Sequence, residues 1–298
     1  MKTKNILSAV TFGEVLWDVF PTHKKIGGAP LNVALRMKSL GIETTIISRV
    51  GLDEDGKEIV SFIEEHGVSS DLIQIGEDYK TGVVNVMIND KGNASYDILY
   101  PSAWDKITLT KQMKEKVLKA DAFVFGSLIC RDEESRSTLY SLLENAKYKI
   151  LDANLRTPYY TAEVLIELMS KADFIKLNDE ELHEISQLLE SPYNSFEQNI
   201  KFIAKKTNTK HICVTKGAFG AVLYYNEKFY YNSGYFVKVV DTVGAGDSFL
   251  ASLIVRLLKG KSPQKSLNYA CAIGALVAAH EGANPKIAAK EIKKFMML

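Results

Sequence analysis

Asp241-Thr242-Val243-Gly244-Ala245-Gly246-Asp247-Ser248-Phe249 places a carboxylate directly after a Gly-Ala-Gly turn, at the mouth of a long apolar stretch. The run from Phe249 to Leu258 reads as a helix. A Gly-Ala-Gly turn lets backbone N–H groups converge on one spot, and the helix N-terminus adds partial positive charge there. Such a nest suits the charge that develops on a phosphoryl group in transfer. Asp247, in the first turn, is placed to take a proton from an attacking hydroxyl. The same glycines also suit a plain tight turn, with Asp247 as a helix cap.

Composition narrows the classes. The chain has 298 residues, long enough for a large core. Lys+Arg number 37 and Asp+Glu 36, a formal net charge of +1. No basic excess points to nucleic acid or to an anionic membrane. Cys130, Cys213 and Cys271 are far apart, with no C-x-x-C pair, so neither a zinc site nor a disulfide framework is indicated. The opening residues lack an apolar run of signal-peptide length, and the apolar stretch near Tyr269 to Ala279 is too short to span a bilayer. A cytoplasmic protein is expected.

Short apolar runs alternate with amphipathic stretches, which predicts an α/β fold with a mostly parallel central sheet flanked by helices. Strands are expected at Ile6–Phe12, Thr44–Val50, Ala122–Phe125, Lys149–Leu151, Phe174–Lys176 and His211–Val214. Helices are expected from Leu31 to Leu40, Glu54 to His66, Thr138 to Ala146 and Glu180 to Leu189. Val15–Phe20 and Gly82–Leu99 break the rhythm and read as extended ribbons, the second turning at Asn89-Asp90-Lys91-Gly92. Together, over about residues 14–24 and 82–100, they read either as a small β lid over a cleft or as a hairpin on the sheet edge, within a single domain spanning 1–298.

Several motifs sit where strands give way to helices. Gly27-Gly28-Ala29-Pro30-Leu31-Asn32 opens the first large helix; its glycines allow close approach of a ligand, and Asn32 can both donate to and accept from a sugar hydroxyl. Asp18, in Gly13-Glu14-Val15-Leu16-Trp17-Asp18, follows the first strand and reads either as a surface Asp in a turn or as an acceptor of bonds from neighbouring hydroxyls. Asp152-Ala153-Asn154-Leu155-Arg156 supplies a planar, permanent cation in Arg156 and a polar Asn154. Asn178-Asp179-Glu180-Glu181 offers carboxylates to hydrated Mg²⁺ or, equally, to a helix dipole. Thr215-Lys216-Gly217-Ala218-Phe219-Gly220 gives either close backbone contact with a nucleotide or a turn between strands. Other phosphate motifs fail: Gly260-Lys261-Ser262 has Val255 where a P-loop needs its first glycine, and no G-x-G-x-x-G follows the first strand. None of the five histidines lies in a metalloprotease or serine-hydrolase pattern.

The 241–249 run resembles the C-terminal signature of the ribokinase/PfkB-type sugar kinases, and Gly27 through Gly41 resembles their N-terminal signature. Within that family the chain is similar to bacterial fructokinases, through Gly13-Glu14-Val15-Leu16-Trp17-Asp18, Ala103-Trp104-Asp105, Gly126-Ser127-Leu128 and Asp152-Ala153-Asn154-Leu155-Arg156. The resemblance implies a ribokinase-like fold and transfer of the ATP γ-phosphate to a sugar hydroxymethyl group, with the 6-hydroxyl of fructose as acceptor. Kinases for ribose or 2-keto-3-deoxygluconate, or an inactive sugar-binding protein of the same fold, are the alternatives. It assigns Asp247 as base and the amides of Gly244, Ala245 and Gly246, with Arg156, to the transferred phosphate. Sugar would meet Asp18, Gly27, Gly28, Asn32 and Asp247. Nucleotide would meet Asn154, Asn178, Thr215, Gly217, Gly220, Gly246 and Asn268, with adenine near Asn268 to Gly274. Glu181 would hold Mg²⁺ through water; the carbonyls of Asp241 and Val243, with the Ala278–Lys286 loop, would suit K⁺. A homodimer formed through the lids is implied as well. Arg36 departs from the histidine expected in many fructokinases.

Overall fold

A computed structural model describes residues 6–88 and 94–297. Its strands are β1 (Ser8–Phe12), β2 (Leu16–Val19), β3 (Lys24–Gly27), β4 (Glu43–Gly51), β5 (Ser69–Gly76), β6 (Gly82–Ile88), β7 (Ala94–Ile98), β8 (Ala122–Gly126), β9 (Lys149–Asp152), β10 (Phe174–Asn178), β11 (His211–Thr215), β12 (Ala221–Tyr225) and β13 (Lys228–Asn232). Its α-helices are α1 (Ala29–Ser39), α2 (Glu54–Glu65), α3 (Lys111–Lys119), α4 (Glu133–Leu143), α5 (Ala162–Lys171), α6 (Asp179–Leu188), α7 (Phe196–Thr207), α8 (Ala245–Leu258), α9 (Pro263–Ala278) and α10 (Ala289–Phe295).

The main sheet runs β13-β12-β11-β10-β9-β8-β1-β4-β5. It is parallel from β11 to β5, and β12 and β13 close one edge antiparallel. A parallel sheet needs cover on both faces, so its strands are apolar on both sides. Val10 and Phe12 face a core shared with Met113, Leu139, Leu165, Ile185 and Ile200 of α3 to α7. Ala9, Val124 and Phe174 face Met37, Leu250, Leu253 and Leu267 of α1, α8 and α9. Cys130, Cys213 and Cys271 are all free and buried in these layers. The chain runs from β1 to β4 and β5 on one side and through β8 to β11 on the other. The carboxyl ends of β1 and β8 therefore flank a switch point, where open α/β sheets form their ligand crevice.

The second sheet, β3-β2-β6-β7, stands over that crevice. It is mixed, because β2 and β6 pair in parallel and the other pairs are antiparallel. Its strand β3, outside the expected ribbons for most of its length, leads straight into Gly28 and α1. Leu16, Val84, Val86 and Ile98 join the main core beside Trp104, whereas Val15 and Trp17 pack with α1 and α2. Both faces of the lid base are thus bound to the body. Arg131 pins its last strand: the guanidinium forks onto both oxygens of Asp105 at 2.7 Å, donates to the carbonyl of Leu99 at 2.7 Å and lies 4.0 Å from the Trp104 ring centre.

The six main-sheet strands expected from sequence all form, with ends shifted by a residue or two. Strands β5, β12 and β13 were not anticipated; β5 and β13 are edge strands whose half-exposed residues blur the apolar runs, and β12 is a short, mostly buried run beside the β13 edge. Residues 217–219 make a short 3₁₀ turn between β11 and β12, so the turn-between-strands reading of that motif describes its backbone. Helix α4 starts at Glu133, five residues before the expected Thr138, because Asp132 caps it by accepting from the Glu134 N–H. The expected turn at 89–92 lies outside the described residues. Replacing Arg131 with Ala strips the buried Asp105 carboxylate of its cation, leaving it the Ser102 N–H as donor, and should cost about 3–5 kcal/mol of stability, read as a lower midpoint in urea unfolding.

Candidate active site

Helix α8 begins at the front of the main sheet. Gly244 caps it in a left-handed conformation (φ 73°), and a side chain there would collide with Ala283. The Ala245 N–H closes a turn onto the Thr242 carbonyl at 3.2 Å, so of the three expected anion-binding amides that one is already engaged. Among the described residues, the N–H groups of Gly244, Gly246 and Asp247 meet no protein acceptor. They are the orphan donors of a helix start.

Asp247 projects from this first turn into the crevice. Its Oδ2 accepts from Asn32 Nδ2 at 2.8 Å, and Asn32 Oδ1 in turn accepts from Asn284 Nδ2 at 2.9 Å. Oδ1 of Asp247 takes no hydrogen bond from the described protein and is the oxygen left for a ligand proton. Burial, then the nearby Asp152 charge, pushes the Asp247 carboxyl up to about 6 against the opposing pull of Asn32, Lys176 and Arg156. One turn beyond Asn32 on α1, Arg36 donates to Ser248 Oγ at 3.0 Å and to the Pro285 carbonyl at 3.1 Å. It clamps α1 to α8 and to the loop that carries Asn284.

Across the crevice stands Asp18 of β2. Gly27 faces it from β3, and a Cβ at Gly27 would overlap the Asp18 carboxylate. Burial pushes the Asp18 carboxyl up to about 6, with Arg156 opposing. Gly28 (φ 114°) lies so close to the Glu14 carbonyl that a side chain has no room. Glu14, buried behind it, accepts from the Ala29 N–H at 3.3 Å with Oε1, while Oε2 has no partner among the described residues. Burial pushes its carboxyl up to about 7. Arg156 is exposed, its guanidinium bonded among the described residues to the neighbouring Leu155 carbonyl, and its charge bears on Glu14, Asp18 and Asp247 alike.

The structure therefore gathers Asp18, Gly27, Gly28, Asn32, Arg156, Gly244, Gly246 and Asp247 around one crevice. Asn178 and Glu181 form a reciprocal capping box at the start of α6: Asn178 Oδ1 accepts from the Glu181 N–H at 2.7 Å and Glu181 Oε2 accepts from the Asn178 N–H at 2.8 Å. Glu181 Oε1 also accepts from the Leu155 N–H at 2.9 Å, which ties α6 to the Asn154–Arg156 loop. Asn154 holds a left-handed backbone (φ 40°) in that loop. Thr215, Gly217 and Gly220 line the turn after β11. Asn268 accepts from Asn232 at 3.0 Å and from Gln264 at 2.8 Å, fixing α9 to the end of β13.

Sequence reading passed over four groups here: Glu14, Arg36 in its clamping role, Asp152 and Lys176. Lys176 had a signal, being a charge inside the apolar strand Phe174-Ile175-Lys176-Leu177. Among the described residues no cluster of three or more His, Cys, Asp or Glu is arranged to hold a metal directly, and no helix is long and apolar enough to cross a membrane.

Known proteins decide the family. Residues 3–290 match the model of the pfkB family carbohydrate kinases. The chain belongs to that family. This kinase is 28% identical to Fructokinase-2 of Solanum habrochaites, over 93% of its own length and 92% of the relative's. A sugar kinase from Pyrococcus horikoshii, solved in complex with ATP, superposes with a TM-score of 0.81 at 26% identity, covering 96% of this chain and 97% of that one. A fructokinase from Vibrio cholerae shares the fold with a TM-score of 0.83 at 22% identity, covering 97% and 99%. The kinase is thus ribokinase-like in architecture, with a large, mostly parallel sheet and a small β sheet over the crevice.

Glu14 gives a test that needs no substrate. Its proton is held more tightly folded than unfolded, so ionising it costs stability as pH rises from about 4.5 through about 7. Glu14→Gln keeps the Ala29 bond and cannot ionise. Its stability relative to the parent should rise between pH 5 and pH 8, by on the order of 1–3 kcal/mol, in denaturant titrations at both values.

Proposed function

We propose that this kinase transfers the γ-phosphate of ATP to the 6-hydroxyl of fructose. The observation that carries it is the bond from Asn32 to Asp247, which aims a carboxylate into the crevice beside the unpaired amides of the α8 start. The fructokinase names of the relatives support the sugar. In this reading Asp18 and Asn32 hold the sugar hydroxyls, with Gly27 and Gly28 giving it room. Asp247 takes the proton from the 6-hydroxyl as its oxygen bonds to the γ-phosphorus and the bond to the β-phosphate oxygen breaks, releasing ADP. The N–H groups of Gly244 and Gly246, with Arg156, face the transferred phosphoryl oxygens; positioning and electrostatics supply most of the rate. Ala245 shapes that turn through its own bond to Thr242. Asn154, Asn178, Thr215, Gly217, Gly220 and Asn268 are proposed to border the nucleotide.

The residues fit two cations. Each Glu181 oxygen already accepts one backbone N–H and keeps a lone pair for a water of Mg²⁺, an ion that retains much of its hydration and neutralises phosphate charge. The carbonyls of Asp241 and Val243 accept no hydrogen bond among the described residues, so they are open to K⁺. Tyr96, Leu99 and Tyr100 leave apolar surface exposed on and just beyond the last lid strand, which supports a homodimer through the lids. A cytoplasmic setting accords with three buried free thiols.

A coupled ADP assay with fructose, ribose, glucose and 2-keto-3-deoxygluconate should show the highest kcat/KM for fructose; a clear preference for another sugar would replace that assignment. Asp247→Asn should lower kcat by a factor on the order of 10²–10⁴ with folding retained. Because the base works as carboxylate, kcat/KM should fall as pH drops through about 6, and a profile flat to pH 5 would remove Asp247 from that role.

A further inference from the structure

Lys176 lies within β10, between the fully buried Ile175 and Leu177. A charge in a strand covered on both faces is costly unless it is paired. Register sets it beside Asp152 of β9, and Nζ lies 3.0 Å from Asp152 Oδ1. The pair is 7% and 4% exposed. Such a pair contributes little net stability compared with two apolar side chains, so its position asks for another reason. That position is beneath the first turn of α8: a Cβ on Gly246 would stand 3.4 Å from Nζ. Against the lowering effect of burial, the carboxylates of Asp152, Glu181 and Asp247 push the ammonium up, so it stays charged at working pH.

We infer that Lys176 is a positioning residue for the phosphoryl transfer: oriented by Asp152, its ammonium backs the Gly246 turn and faces Asp247 from the sheet side. The inference rests on the kinase reading above. Asn32 of α1, Asp152 of β9, Lys176 of β10, Arg156 of the loop after β9 and Glu14 after β1 all act on Asp247. Among them Lys176 and Arg156 are the cations. Arg156 is exposed and available to the phosphate; Lys176 is buried and fixed. Removing Lys176 leaves Asp152 unopposed beside Asp247, so the base holds its proton to higher pH. Removing Asp152 alone does the reverse.

The test compares the full-length parent with Lys176→Met, Lys176→Arg, Asp152→Asn and the double variant Asp152→Asn/Lys176→Met. Folding is checked by circular dichroism. The Asp247 carboxyl is titrated by ¹³C NMR, and kcat is followed against pH with ATP and fructose. Lys176→Met should raise the Asp247 midpoint and the acid limb of kcat by about one pH unit, and lower kcat roughly tenfold with fructose KM little changed. Lys176→Arg should keep the parental limb. If Lys176→Met fails to fold, the double variant against Asp152→Asn isolates the same charge without a buried orphan, and its midpoint should again be higher by about one unit. Midpoints that stay together in both comparisons overturn the inference. A parent that phosphorylates no sugar overturns the kinase reading instead, and the NMR titration separates the two outcomes.

Discussion

The hydrogen bond between Asn32 and Asp247 is the constraint from which the rest of the crevice follows. A carboxylate taken out of water must be given donors, and Asn32 supplies one at 2.8 Å. To do so α1 must lie against α8 at the front of the sheet, and Arg36 one turn later locks that crossing through Ser248 and Pro285. Asn284 then holds the other end of the Asn32 amide. The Gly27-Gly28 entry to α1 is fixed by the same crossing, because β3, itself a lid strand, must deliver the chain to that helix. Two signatures far apart in sequence are thus one object in space.

The crevice keeps three carboxyls, Glu14, Asp18 and Asp247, in surroundings that resist their ionisation. Burial is the leading cause for each. The fold tolerates this because cations stand close by without neutralising them completely. Pairing every acid with its own lysine or arginine would make a more stable and less reactive pocket. Instability stored at a site that must bind and release ligands is a usual cost of function.

Much of this was legible in the chain. Asp247 sits in the first turn of α8, as the Gly-Ala-Gly sequence indicates, because an αL glycine followed by apolar helical residues has few other conformations. The parallel order was readable from alternating apolar runs and helices. Edge strands β5 and β13 were not, since half-solvated strands carry no clean period, and β12, the short apolar run beside β13, was missed with them. Arg36 was readable as a departure but not as a clamp: its partners Ser248 and Pro285 are more than two hundred residues away. Asp152 and Lys176 are neighbours only through strand register, which no local pattern encodes. The engagement of the Ala245 amide by Thr242 is likewise a matter of turn geometry that several turn types would have left open.

The packing of the sulfur atoms carries a different consequence. Burial pushes the thiols of Cys130 and Cys271 up to about 12, and it raises that of Cys213 well above the usual thiol range. Thiolate, the reactive form, is therefore scarce at neutral pH, and electrophiles and peroxides have no direct route to it. The folded enzyme is chemically quiet toward oxidative stress at every one of its cysteines. Alkylation of those sulfurs thereby becomes a clock for opening of the two helical layers, one layer reported by Cys130 and the other by Cys213 and Cys271.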